Sequence, residues 1–363
     1  MSEIELVVPF CLPPTEMAAD LLRDLALPSL ARLLSRGKEL PSGNEPSKND
    51  DTKETEAYAR CLPHERWLAR RFGMDAALAA GGSPPVAALL LKSLESAAAM
   101  PQAGHWFIVQ PVHLHIARDH LVLTDTRQLA LSEADSQALF ESAAPCFSEA
   151  GMTLRYGRAD HWFVCADQHR DLRTATPDAA CGRNIDIWMP QGNSARAWRK
   201  LQNDIQMNWH THKVNETRAV AGLVPLNSVW LWGGGAWPTA VEAAPSATLF
   251  DFTGWLQAFS AVAASSSINA DAPQVIADAS PTRIVYLDAL TGPALASDWA
   301  QWRAQLQRLE TLWFAPMLNA LTSGQLNQVS LVLTRSDALH HWRASRLSLQ
   351  KFWLRPTLMR IAS

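Results

Sequence analysis

The feature that most constrains the fold of this chain is the repeated exchange between short apolar runs and longer amphipathic stretches. Ile4–Phe10, His105–Ala117, His120–Thr124, His161–Ala166, Val229–Trp232, Arg283–Asp288 and Val329–Thr334 have the length and composition of strands, with Arg118-Asp119 as a hairpin turn. Between them, Ser132–Ala150, Ala195–Ala221 and Ser297–Leu321 carry helical patterns. Ser132 opens the first with a capping-box-like S-E-A-D, and Gly151, Gly222 and Gly324 close the three. Earlier, Thr15 is placed to cap a helix over Glu16–Ser35 that Pro28 must kink or split. Shorter helices are expected near His64 and over Val86–Ala99. Strands alternating with helices of 15 or more residues predict a mixed α/β protein with a largely parallel sheet flanked by helices.

The chain has 363 residues, 48% hydrophobic and 18% charged, enough to bury a sizeable core. Residues 37–57 lack aromatic and β-branched apolar side chains and are expected to form a mobile surface insertion. The small-residue run Ala261–Ala272 is the best internal boundary. It suggests an α/β body over 1–270 and a C-terminal α/β segment over 271–363, its basic tail packed on the same body.

Charge and cysteine usage exclude several classes. The 32 basic and 35 acidic residues leave a net charge of −3, so global electrostatics selects no polyanionic partner. The five cysteines, Cys11, Cys61, Cys146, Cys165 and Cys181, form no C-x-x-C pair, which argues against a disulfide framework and a structural zinc site. No basic leader followed by an apolar run opens the chain, and no apolar stretch approaches a membrane span. A cytoplasmic protein with no membrane partner, no cofactor and no metal is the expectation.

Most chemistry is concentrated in Gln206–Gly235, QMNWHTHKVNETRAVAGLVPLNSVWLWGGG. A helix bearing His210, Asn215 and Arg218 ends at Gly222, and a turn at Pro225 feeds a strand that delivers three glycines. Backbone N–H groups of Gly233, Gly234 and Gly235 are free to face an anion there, and Arg218 suits a carboxylate or phosphate. Asn227 is placed to tie the loop together or to reach a ligand. The alternative is structural: the glycines permit a sharp bend or close packing under Trp230, Trp232 and Trp237, while Asn215 and Arg218 cap and pin a helix. The 15 tryptophans, against 3 tyrosines, are in part concentrated around this stretch.

The segment resembles H-P-x-N-x-x-R-x-x-x-G-x-x-P-x-N-x-x-x-x-W/R-G-x-G of archaeal-type cofactor-independent phosphoglycerate mutases. The matching positions are His212, Asn215, Arg218, Gly222, Pro225, Asn227, Trp232, Gly233 and Gly235, with Lys213 where proline is usual. The whole chain also resembles a proteobacterial group described as RpfE-type regulatory proteins. That likeness is carried by the opening apolar strand, LPHERWLAR (Leu62–Arg70), PVHLHIARDHLVLTD (Pro111–Asp125), GRNIDIWMP (Gly182–Pro190), Gln206–Gly235 itself and WFAPMLNAL (Trp313–Leu321). The mutase resemblance implies an alkaline-phosphatase-superfamily-like fold. It also implies a ligand pocket lined by His212, Asn215, Arg218, Asn227, Trp232, Gly233, Gly234 and Gly235, for a phosphorylated or carboxylated metabolite.

The same resemblance implies a two-metal phosphoryl-transfer design, which needs clustered Asp and His ligands and a Ser or Thr nucleophile. Here the first strand ends Val8-Pro9-Phe10-Cys11, without the expected carboxylate. No nucleophile motif is recognisable in the first hundred residues, and Asp337, His340 and His341 match a late metal motif only loosely. His113 and His115 share one face of a strand and offer a weaker metal possibility. The expectation is therefore a non-catalytic regulatory or ligand-binding protein, a pseudoenzyme with a degenerate mutase-like anion pocket. One alternative is an active metal-dependent phosphomutase or phosphatase. The other is a nucleic-acid-associated regulator working through the tail, since Ala338–Ser363 carries Arg343, Arg346, Lys351, Arg355 and Arg360, no acidic residue, and interleaved aromatics. That tail suits nucleic acid or an acidic protein partner, or forms a terminal helix docked on the body.

Overall fold

The computed structural model describes residues 3–41, 59–74, 78, 82–94, 103–237 and 246–362. Among these, thirteen strands form: β1 (Glu3–Val8), β2 (Lys38–Leu40), β3 (His105–Val112), β4 (Leu114–Ala117), β5 (His120–Leu123), β6 (Thr153–Arg158), β7 (His161–Cys165), β8 (Ser228–Ala236), β9 (Thr248–Phe250), β10 (Ser265–Ser267), β11 (Thr282–Tyr286), β12 (Gln328–Thr334) and β13 (Leu339–Ser345). The chain divides into two compact units. One comprises Met1–Ala57, Ala244–Leu256 and Ala263–Ser363, and the other Tyr58–Ala243 and Gln257–Val262.

The first unit is built on a seven-stranded sheet in the order β10-β9-β11-β1-β12-β13-β2. Strands β10, β9, β11, β1 and β12 run parallel, and β13 and β2 close one edge in antiparallel register. Helices flank the sheet, so its central strands are buried on both faces, and Ile4, Leu6, Val7 and Val8 of β1 are wholly buried. Because β1 pairs between β11 and β12, residues on either side of 270 share one sheet, and the division between units does not fall there. Of the stretch expected to be a mobile insertion, Lys38–Leu40 instead pairs with β13, while 42–57 lies outside the described residues.

Proline sets the helix ends in this unit. Pro28 occupies the first turn of helix Pro28–Arg36 and does not kink a longer one, and Thr15 caps nothing. The expected helix Ser297–Leu321 is three pieces: Trp299–Leu309, a π-turn Glu310–Phe314, and Ala315–Ser323, closed by Gly324 in the left-handed region. Pro316 lacks the N–H that would reach the Leu312 carbonyl, which loosens the regular ladder there. The π-turn presents the Glu310 carboxylate to the amides of Ser29 (2.6 Å) and Leu30 (3.1 Å), capping helix Pro28–Arg36.

The second unit holds an antiparallel sheet, β6-β7-β3-β8, and the hairpin β4-β5. The parallel sheet is therefore that of the first unit. Helices Glu133–Glu149 and Ala195–His210 pack Leu139, Phe147, Trp198, Leu201, Ile205 and Trp209 against Phe107, Val109, Trp162 and Val164 of the sheet. Several buried indoles find partners: Trp162 donates to Ser136 Oγ (3.0 Å), Trp209 to Ser142 Oγ (3.0 Å) and Trp230 to the Ala175 carbonyl (2.8 Å). The tryptophan surplus is mainly core material.

Candidate functional site

The mutase-like segment folds into structural bracing. The expected continuous helix over 195–221 breaks at Thr211, and His212 caps the following helix Lys213–Val220 by accepting from Val214 N–H at 3.3 Å. Asn215, buried, donates to the carbonyls of Trp209 (2.9 Å) and Leu226 (2.8 Å) and accepts from Leu226 N–H (2.8 Å). Its amide thus closes the loop that reverses the chain into β8. Asn227 brackets Leu114 the same way, accepting from its N–H and donating to its carbonyl, each at 2.8 Å.

Arg218 was expected to meet a carboxylate or phosphate. Only 1% exposed, its guanidinium meets the carboxylate of Asp135 (3.4 Å) inside the fold and donates as well to the carbonyls of Val224 (3.0 Å), Ala130 (3.4 Å) and Leu129. Four of its five N–H donors are thus spent inside the fold.

The triple glycine is also not a turn. Strand β8 runs through it to Ala236, with Gly235 opposite Trp106 and Trp232 opposite Ile108. A Cβ on Gly234 would stand 2.3 Å from the Phe107 ring, and one on Gly235 3.0 Å from Pro85. The Gly233 amide donates to Ser83 Oγ (2.8 Å), and Trp232 is 1% exposed with its ring 6.1 Å from that of His161. Gly234 and Gly235 serve close packing, while Gly233 takes a left-handed backbone (φ +72) where the β3–β8 ladder shifts register.

The metal ligands implied by the mutase resemblance meet a similar outcome. Beyond β1, Cys11 is fully buried and burial pushes its thiol up to about 12, which holds it neutral. The Phe10 carbonyl accepts the Trp302 indole N–H (2.8 Å), and its N–H reaches Thr334 Oγ1 (3.4 Å). Asp337 pairs with Arg335 (2.6 Å), while His340 pairs with Glu39 (2.7 Å) and stacks on Trp342. His113 and His115 stack with ring centroids 5.9 Å apart, and His113 contacts the Pro225 carbonyl at 2.8 Å. Among the described residues, no group of three or more His, Cys, Asp or Glu is arranged to hold a metal ion. The donor set among the described residues does not fit two divalent cations.

Two clusters missed by the sequence reading also gather polar and charged side chains. The first lies at the start of helix Pro63–Arg71. Glu65, 1% exposed, accepts from Leu62 N–H (2.6 Å) and Thr176 Oγ1–H (2.7 Å). Burial, reinforced by Asp178, raises its carboxyl to about 8. Burial also lowers neighbouring His64 to about 4, with the Arg127 cation adding to the effect and Asp178 opposing it. Arg127 grips Asp178 through two hydrogen bonds (2.9 and 3.1 Å) and also pairs with Asp125.

The second is an open cleft of about 400 Å³ within the same unit. Leu114 and Leu121 of the β4–β5 hairpin form one wall, and Ile185, Asp186 and Met189 a second. Arg199, Gln202, Asn203 and Gln206, spaced i, i+3, i+4 and i+7 along helix Ala195–His210, form the third. Arg60 fixes the second wall by donating to the carbonyls of Ile187 (2.9 Å), Trp188 (3.2 Å) and Met189 (3.2 Å). Gln202 and Gln206 are oriented by donating to Ser228 Oγ (3.0 and 3.1 Å). The side chains of Arg199, Asp186 and Asn203 have no hydrogen-bond partner among the described residues. The helical spacing of that polar face was the available sequence signal, but nothing in one helix says what lies opposite.

No family model matches the chain. A stretch of 133 residues is 29% identical to a probable 2,3-bisphosphoglycerate-independent phosphoglycerate mutase of Geobacter sulfurreducens. It covers 36% of this chain and 33% of that protein, so the match spans a third of the relative's length. A segment of this chain therefore resembles a cofactor-independent phosphoglycerate mutase. Among solved structures, the PH0037 protein of Pyrococcus horikoshii superposes with a TM-score of 0.50 and 11% identity, over 95% of this chain and 87% of that one. That likeness concerns the fold alone. A cofactor-independent phosphoglycerate mutase from Thermoplasma acidophilum aligns with a TM-score of 0.45 and 13% identity, over 100% of this chain and 94% of that one. No helix among the described residues is long and apolar enough to cross a membrane.

Proposed function

We propose that this protein is a mutase-like binding protein of regulatory type, a pseudoenzyme that holds a small phosphorylated or carboxylated metabolite without transferring its phosphoryl group. The observation that carries the reading is the convergence of three segments on one cleft. The hairpin from Pro111–Asp125, the Gly182–Pro190 stretch and the helix leading into the mutase-like segment all line it. Arg199 supplies a cation for an acid group, while Asp186 suits a hydroxyl or amino donor on the same ligand. Amides from Gln202, Asn203 and Gln206 add neutral hydrogen-bonding capacity, and Leu114, Leu121, Ile185 and Met189 apolar lining. The absence of a phosphoryl-transfer step is supported by the residue types beyond β1, where a neutral buried thiol and a tryptophan–carbonyl bond stand in place of carboxylates.

The test is a thermal-shift and calorimetric screen of small phosphorylated and carboxylated acids, with and without Mn²⁺, on the purified protein. A ligand at a hundred times its dissociation constant raises stability by about 2.7 kcal/mol. Stabilisation lost in Arg199→Ala supports the reading. Metal-dependent interconversion of 2- and 3-phosphoglycerate by the same protein overturns it in favour of an active mutase.

A further inference from the structure

Fifteen large apolar side chains stand exposed among the described residues, and four of them fall between positions 347 and 359: Leu347 (76% exposed), Phe352 (80%), Trp353 (66%) and Met359 (65%). The Phe352 and Trp353 rings meet edge to face at 5.3 Å. Lys351 and Arg355 lie within that stretch, Arg346 and Arg360 flank it, and no acidic residue occurs from Ala338 to Ser363. In a chain of net charge −3, this is a local concentration of positive charge. Arg346, Lys351 and Arg355 make no ion pair among the described residues.

This is not a loose end whose exposure is incidental. After β13 the chain is tied back to helix Pro28–Arg36 on both sides of the aromatic pair. Arg36 donates to the Leu349 carbonyl (2.6 Å), Thr357 N–H to Ser35 Oγ (2.9 Å), and Arg360 to the Leu34 carbonyl (3.1 Å). Leu349 and Ile361 are buried anchors at the two ends. Between the staples a tight turn, Phe352 N–H to the Gln350 carbonyl at 2.7 Å, carries the aromatic pair outward. A terminal helix with docked aromatics, one expectation for this tail, does not form. The structure holds Phe352 and Trp353 in water.

We propose that the loop 346–360 docks on the headgroup layer of an anionic lipid bilayer. Phe352, Trp353, Leu347 and Met359 would enter the acyl boundary, while Arg346, Lys351 and Arg355 meet acidic headgroups. Charge complementarity selects an anionic partner, and the aliphatic pair selects a bilayer over a nucleic acid. Leu347 and Met359 have no π-face and add nothing to base stacking, but they add apolar area to interfacial insertion. Docking of this kind is peripheral and needs no spanning segment. It joins two individually weak terms, apolar insertion and attraction to acidic lipid.

The test is co-sedimentation of the full chain with vesicles of phosphatidylcholine alone and of phosphatidylcholine mixed with phosphatidylglycerol. Binding is expected only to the mixed vesicles and should weaken as salt rises. The double charge reversal Lys351→Glu/Arg355→Glu should reduce it by about thirtyfold or more. The pair Phe352→Ser/Trp353→Ser should reduce it on the order of tenfold, with both variants melting as the parent does, because the altered side chains touch solvent. Failure to sediment with acidic vesicles overturns the proposal, as does equal binding by the charge-reversed variant. Tighter binding of a single-stranded oligonucleotide, lost on the same substitutions, also overturns it and assigns the loop to nucleic acid.

Discussion

The Trp302 indole donates to the backbone carbonyl of Phe10 at 2.8 Å, closing the end of β1 at the place where the mutase resemblance implies a metal-binding carboxylate. Helix Trp299–Leu309 is thereby fastened to the strand end, and Phe10 sits at φ +55 between two hydrogen bonds. Trp302→Phe leaves that carbonyl buried without its donor and should cost about 1–3 kcal/mol in denaturant unfolding. Cys11→Asp places a carboxylate among apolar atoms. It should destabilise the fold by several kcal/mol, on the order of an unpaired buried polar group, without creating Mn²⁺ binding in calorimetry.

Two arginines separate bracing from binding. Arg218→Ala strands the carbonyls of Leu129, Ala130 and Val224 and should lower stability by about 2–4 kcal/mol, seen as a lower denaturation midpoint. Arg199→Ala lies on an exposed helix face and should change stability by less than about 0.5 kcal/mol while removing metabolite-induced stabilisation. If Arg218→Ala keeps full stability and loses ligand, the internal role assigned to it here is wrong.

Gly234 gives a direct reading of what the triple glycine is for. Its absent Cβ leaves room for the Phe107 ring, which an alanine would meet at 2.3 Å. Gly234→Ala should therefore destabilise by about 1–3 kcal/mol through overpacking. Gly234→Ala combined with Phe107→Leu should recover part of that loss. A flexible ligand-facing turn predicts instead no stability change and no rescue.

The pair Glu65 and His64 predicts opposed pH dependences. Glu65 has its folded value raised to about 8, so it holds its proton more tightly folded than unfolded. The stability it contributes is complete below the ordinary carboxyl range and is lost as pH rises toward 8. His64 is lowered to about 4, so its contribution is present above the ordinary imidazole value and is lost as pH falls toward 4. Melting temperature followed across pH should fall toward the alkaline side in the parent, and Glu65→Gln should flatten that fall. His64→Asn should flatten the acid side alone.

Much of the architecture was legible because it rests on local signals. Strand runs such as Ile4–Phe10 and Val329–Thr334 are largely apolar and buried on both faces, and Ser132 caps its helix by accepting from Asp135 N–H at 3.1 Å. Gly324 ends its helix with a left-handed backbone, and Arg118, at φ +59, turns the β4–β5 hairpin. What escaped were elements whose identity depends on distant partners. The strand Lys38–Leu40 reads as polar linker and exists because β13 offers an edge, and the continuous helical pattern over 195–221 gives no warning that His212 restarts it as a cap. The mutase-like residues were recognised by spacing. Spacing does not reveal whether Arg218 faces a ligand or three backbone carbonyls.

The amino-acid sequence by itself determined the α/β class, most strand and helix positions, and the mutase-like character of one segment, because periodicity and capping act over a few residues. Only the tertiary structure decided the rest. It buried Arg218 and threaded the three glycines into a strand against Phe107. It brought Asp186, Arg199 and Leu114 to one cleft and held Phe352 and Trp353 out in water. The physical reason is common to all four. Whether a polar or aromatic group is spent inside the protein or left for a partner depends on which atoms from elsewhere in the chain reach it first.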